Sequence, residues 1–137
     1  MAEPAWNADK GMTLTEVLVA LAIVFIVFLG LTESGLVALE YNIQNLLREE
    51  GVRVTDAWIA DSRSIPFATL NGMIAANPTV EPPVDINRRV RNLNWPYRIT
   101  RTLTRLNPDN IQISIDVTWT RSGRTFFHQA TAIVRSP

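Results

Sequence analysis

The sequence predicts an α+β protein in which a long N-terminal α-helix packs its second half on a small C-terminal antiparallel β-meander. Three observations carry this. An almost unbroken apolar run near the N-terminus passes, without a proline, into an apolar stripe at helical spacing. Prolines and glycines then cluster over residues 71–94. The last third alternates apolar and polar side chains with period two.

The helix comes first. From Val17 to Leu31 there is no charged side chain, a run of 15 residues, and from Met12 to Thr32 the stretch reaches 21 residues with Glu16 as its one charge. About 20 residues at 1.5 Å rise each cross a bilayer. Beyond it, Leu36, Leu39, Ile43, Leu47, Val54 and Trp58 recur among Glu40, Asn42, Gln44, Arg48, Glu49 and Arg53. That is a helix with one face to bury. No proline falls between Ala5 and Ile65, so one helix is expected from about Thr13 to about Arg63. Pro66 ends it, because it disfavours helix at Ile65 and has no N–H to donate. Gly30, Gly35 and Gly51 are its expected weak points, at about 1 kcal/mol each relative to alanine.

Asn71-Gly72, Pro78 and Pro82-Pro83 mark residues 71–94 as a loop, with room for a short strand near Ile86–Val90. A loop of that length is often a functional surface. In the sheet that follows, Ile111, Ile113, Ile115, Val117 and Trp119 alternate with Gln112, Ser114, Asp116 and Thr118. The flanking runs Tyr97–Leu106 and Thr125–Arg135 are rich in Thr, Ile, Val and Phe, and "NPDN" and "RSGR" supply the turns, giving three or four strands. Arg101 and Arg105 share parity with Tyr97, Ile99 and Leu103, which suggests an edge strand or a bulge.

Composition bounds the chemistry. There is no cysteine, hence no disulfide, thiol nucleophile or thiolate metal site, and one histidine, His128, expected as a packed or surface residue. Asp109 and Asp116 lack the oxygen-rich spacing of a calcium loop, and the glycines form no phosphate loop. The expectation is a protein that is not an enzyme and holds neither metal nor cofactor. Charge is asymmetric: residues 1–85 carry four basic and eleven acidic side chains, a net of −7, and residues 86–137 carry nine arginines and two aspartates, a net of +7.

Residues 1–11 form a polar leader with one lysine. The apolar run is long and continues into the amphipathic helix with no small-residue cleavage signal after it, which does not fit a secretory signal peptide. A plain membrane anchor leaves Glu16 unexplained, since a carboxylate inside a bilayer is costly. The segments Lys10-Gly11, "MTLTE" over 12–16 and "VLVALAI" over 17–23 resemble the prepilin signal of type IV pilins and type II secretion pseudopilins. The resemblance implies cleavage after Gly11 by a membrane aspartyl peptidase, N-methylation of the new terminus Met12, and Glu16 as the glutamate at mature position five. Met12 stands where phenylalanine is usual, and Thr15 where an aliphatic residue is frequent. Stacked subunits can then bring Glu16 of one to the Met12 amine of the next, a pair that sets register because an unpaired ion in a low-dielectric core is costly.

The division expected is a leader over 1–11, a hydrophobic membrane and assembly helix over 12–35 and a globular domain over 36–137. That domain comprises an amphipathic helix 36–64, the loop 71–94 and a meander 95–135. "VLVALAIV", "SIPFATL" and "DVTWTRSGRTFFHQATAIV" resemble the V-type minor pilins, the pilus modification proteins, while "DAWIADSRSI" is similar to the I-type minor pseudopilin of type II secretion. The first likeness implies a low-abundance subunit that primes or caps a pilus through a tip complex. Its expected partners are other minor and major pilins or pseudopilins, the prepilin peptidase and methylase, the inner-membrane assembly platform, and membrane lipid before assembly. The expected location is the inner membrane, with the leader in the cytoplasm and the sheet in the periplasm. A DNA-receptor pilin is the alternative from another class, because Trp95, Tyr97, Trp119, Phe126 and Phe127 lie among the arginines. Against it, those arginines can be solvated strand faces paired with helix acids such as Glu49 and Asp56, or with a neighbouring subunit.

Overall fold

The computed structural model describes residues 13–137, and the chain divides into two compact units, one up to Asn42 and the other from Ile43 to Pro137. In chain order the elements are α1 (Leu14–Ser64), α2 (Phe67–Met73), β1 (Thr79–Val80), β2 (Val84–Val90), β3 (Leu93–Asn107), β4 (Asn110–Arg121) and β5 (Arg124–Arg135).

The described part of the first unit is α1 as far as Asn42. It stays helical through Gly30 and Gly35, where an added Cβ would meet nothing within 4 Å. Its apolar window is long and apolar enough to cross a membrane, and none of it is buried among the described residues. Leu36 and Leu39 are exposed as well, so the buried stripe of α1 starts at Ile43 rather than at Leu36.

In the second unit, Leu47, Gly51, Val54, Thr55 and Ser62 are buried, and Ile43, Trp58 and Ile59 pack beside them. They cover one face of an antiparallel sheet ordered β1-β3-β4-β5, with β2 also paired to β3. Tyr97, Ile99 and Leu103 from β3 and Ile111, Ile113, Ile115, Val117 and Trp119 from β4 form that face, and Leu70 of α2 closes the core. The period-two alternation places Ile111, Ile113, Ile115, Val117 and Trp119, five of the six odd-numbered β4 side chains, in that core, with Arg121 half-buried beyond them. Both turns fall where the sequence puts them. Ser122 and Gly123 both have positive φ (49° and 75°), the geometry of a two-residue hairpin turn that matches strand twist.

Three expectations need correction. The sheet has five strands, one of them two residues long. Residues 71–94 are not a loop throughout, since β1 and β2 both lie within them. Both pair with the same side of β3, Thr79 opposite Leu103 and Val84 opposite Ile99, and Pro82-Pro83 separates them. Prolines are tolerated there because this side of the sheet is an edge. Finally, β3 is a central strand and not an edge. The irregularity expected near Arg105 does occur, as a register shift between Arg105 and Asn107.

Candidate functional site

In the first unit, Glu16 sits in the first turn of α1. The Thr13 backbone N–H donates to Glu16 Oε2 at 2.7 Å, the Thr13 hydroxyl donates to the same oxygen at 3.0 Å, and the Glu16 N–H donates back to Thr13 Oγ1 at 3.3 Å. This is a capping box, in which two otherwise orphaned donors at a helix start are satisfied reciprocally. The carboxylate also lies at the positive end of the helix dipole. Thr-x-x-Glu, the sequence signature of this device, is legible at residues 13–16. Both Thr13 donors fall on Oε2, and Glu16 itself is exposed within the chain, so Oε1 faces no hydrogen-bond donor among the described residues. The other two residues of the expected processing site, Gly11 and Met12, lie outside the described residues.

In the second unit, arginines fix the segment between α1 and β3. The side chain of Arg101 points to the core face and donates through Nε and Nη2 to the two carboxylate oxygens of Glu81, at 2.9 and 2.8 Å, and through Nη1 to Ser62 Oγ at 3.3 Å. Arg105 donates from Nε to Asn71 Oδ1 at 3.0 Å, and its backbone N–H donates to Asn77 Oδ1 at 2.9 Å. These bonds explain why two arginines share parity with core residues. On the opposite face, Arg98 grips Asp85 in a bidentate pair at 2.7 and 2.9 Å. That hydrogen-bonded guanidinium, together with its charge, holds the Asp85 carboxyl below its usual range, and Asp85 in turn raises Arg98. Both side chains are exposed, so the pair adds little to stability. Among the described residues the helix acid that takes arginines is Glu50, 3.7 Å from Arg53 and 3.6 Å from Arg88, not Glu49 or Asp56.

Trp119 lies across Gly51. A Cβ on Gly51 would come within 2.8 Å of Trp119 Cζ3. The indole stacks on Phe126, with centroids 6.0 Å apart, and meets Tyr97 at 5.7 Å. The Tyr97 hydroxyl donates to the Leu47 carbonyl at 2.8 Å, and burial, with the Glu50 charge second, pushes its pKa up to about 12. A cleft of about 380 Å³ runs beside this stack, lined in part by Asn45, Arg48, Trp119 and His128. The indole N–H groups of Trp95 and Trp119 are buried without a hydrogen-bond partner among the described residues. Of the aromatics interleaved with arginine, Tyr97 and Trp119 are buried and Trp95 and Phe126 half-buried, so Phe127 alone is open for stacking on a base.

The prokaryotic N-terminal methylation motif matches residues 6–32. No curated protein and no solved structure matches the chain. The family of that motif is structural rather than catalytic; the motif implies processing by prepilin peptidase and assembly with other pilins, and with the apolar helix it fits anchoring in the inner membrane. Motif, apolar helix and helix-on-sheet fold together support a prepilin-type, type IV pilin-like protein.

Proposed function

We propose that the chain is a minor pilin that primes or caps type IV pilus assembly from a tip complex. Cleavage after Gly11 and N-methylation of Met12 create a mature terminus next to the Thr13–Glu16 capping box. The observation that carries the reading is this box inside a methylation motif, at the head of an apolar helix whose apolar window is not buried by any of the described residues. Thr13 occupies one carboxylate oxygen of Glu16 and leaves the other to a cation. In an assembled filament that cation is the Met12 amine of a neighbouring subunit, and the pairing sets axial register. The sheet unit lies in the periplasm until assembly.

The first test is the intact mass of the protein purified from its own membranes. A chain starting at Met12 and carrying one methyl group is expected; a chain retaining residues 1–11 in cells with active prepilin peptidase overturns the processing. Glu16→Ala should insert normally and fail to co-purify with filaments, and normal incorporation overturns the register role. Similarity of "DAWIADSRSI" to an I-type pseudopilin supports a second reading, a tip subunit of type II secretion. Capture with secretion pseudopilins and not with pilins would select it.

A further inference from the structure

The strand registers bring two hairpin tips to one end of the sheet unit. Arg98 of β3 faces Thr118 of β4; from that rung β3 runs back to the β2–β3 turn at Arg91-Asn92, and β4 runs on to the β4–β5 turn at Ser122-Gly123. The α1 helix crosses the same end, because Leu47 receives the Tyr97 hydroxyl and Gly51 seats Trp119, whereas Ser62 meets Arg101 further along β3. This is therefore the end at which the chain enters the unit.

That end is cationic. Arg48 on α1, Arg89 on β2, Arg91 in the first tip and Arg124 in the second are exposed, with Arg121 half-buried beside them. Of the nearby carboxylates, Glu50 is engaged by Arg53 and Arg88 and Asp85 by Arg98, while Glu49 beside Arg48 is exposed, so positive side chains outnumber negative ones at this end. Apolar side chains stand out among the arginines: Leu93 at the first tip is 64% exposed, and Phe127, which pairs with Thr118 three residues beyond Arg124, is 75% exposed. Arg91 holds φ at 55°, a conformation that glycine or asparagine adopts more readily, yet a guanidinium occupies it.

We propose that this end of the sheet unit docks on the anionic headgroups of a phospholipid bilayer. Arginines supply phosphate-binding donors, and Leu93 and Phe127 supply apolar contacts at the interface. Connectivity selects the bilayer over other polyanions. Eleven residues separate Leu31 from Ile43, so only a short stretch of chain joins the apolar run to the segment that enters this end. A nucleic acid would meet two hairpin tips with Tyr97 and Trp119 buried, and would find one exposed aromatic, Phe127. The inference rests on the membrane anchoring in the reading above, and is independent of processing and of filament assembly.

The chain has no cysteine, so Asn92→Cys in the first tip and Asp109→Cys in the β3–β4 turn at the opposite end each give a single labelling site. The full chain, fluorescently labelled, is reconstituted into vesicles of phosphatidylcholine alone or mixed with phosphatidylglycerol, each carrying a headgroup-linked nitroxide quencher. The label at 92 should be quenched in the anionic vesicles and released by salt, and the label at 109 should not respond. The double substitution Arg89→Ala and Arg124→Ala should lower the docked equilibrium by about an order of magnitude, and Arg89→Lys with Arg124→Lys should retain most of it. Equal quenching in neutral and anionic vesicles, or at both labels, overturns the proposal. So does release by inorganic phosphate at matched ionic strength, which marks a free-phosphate site, or release by short duplex DNA, which marks a nucleic-acid surface. A chain that fails to float with any vesicle removes the anchoring reading itself; flotation without quenching at 92 removes the docking surface alone.

Discussion

Gly51 shows how a residue's meaning depends on what stands opposite it. Helix propensity alone makes it a weak point worth about 1 kcal/mol. In the folded unit its bare backbone is the seat of Trp119, and the 2.8 Å approach leaves no room for a methyl group. Overpacking of this kind costs about 1–3 kcal/mol, so Gly51→Ala should lower the thermal midpoint despite the gain in propensity. A raised midpoint would show that the indole can move aside. Tyr97 carries a pH signature. Its phenol is favoured in the neutral form by folding, with pKa raised from 10.0 to about 12. The stabilisation is complete below the ordinary value and is lost as pH rises through the interval up to about 12. Tyr97→Phe should therefore remove that part of the alkaline destabilisation, read as the difference between the two unfolding curves across this interval together with phenolate absorbance.

At the scale of elements, the start of α1 and the fastening of the segment before β3 depend on side-chain bonds. Thr13→Ala removes the N-cap, at a typical cost of about 1 kcal/mol, and should speed amide exchange over the first turn of α1 in micelles without changing exchange in the sheet. Glu81→Ala leaves Arg101, whose side chain is 13% exposed, without its carboxylate. The expected loss is about 1–3 kcal/mol, and it should exceed that of Ser62→Ala, which removes one long bond. These elements also show what the sequence makes legible. Period two over Ile111–Trp119 and the two turn motifs are local signals, and the strands follow them. The partner of Arg101 lies 20 residues away and that of Arg105 lies 34 residues away, so no local pattern could show that these arginines tie down a neighbouring segment. β2 is obscured by its own arginines and by the prolines before it. The capping box is legible, since Thr13 and Glu16 have the required spacing, but the long apolar run beside it is the stronger signal.

For the whole molecule, the two units differ in how they meet solvent. The second has its own core, built from α1, α2, β3 and β4. The apolar window of the first is not buried among the described residues. A fragment spanning residues 43–137 should therefore fold cooperatively, with a thermal midpoint close to that of the full chain in micelles. A fragment that is unfolded, or that melts in separate steps, would show that the sheet needs the preceding helix. The general plan of a long helix on a small antiparallel sheet is readable in advance because it follows from hydropathy and periodicity. The position at which the buried stripe begins, Ile43 instead of Leu36, is not, because an apolar residue looks the same in sequence whether it will meet a sheet of its own chain or something outside it.

Trp119 has one more consequence. Its ring is held at 49° to Tyr97 and 18° to Phe126, against the backbone of the helix. Aromatic chromophores fixed at such angles couple optically, so the closed stack should give the protein a near-ultraviolet circular dichroism band that vanishes when helix and sheet part. The fold thus carries its own spectroscopic gauge, readable in lipid, in detergent or in an assembled filament without any added dye.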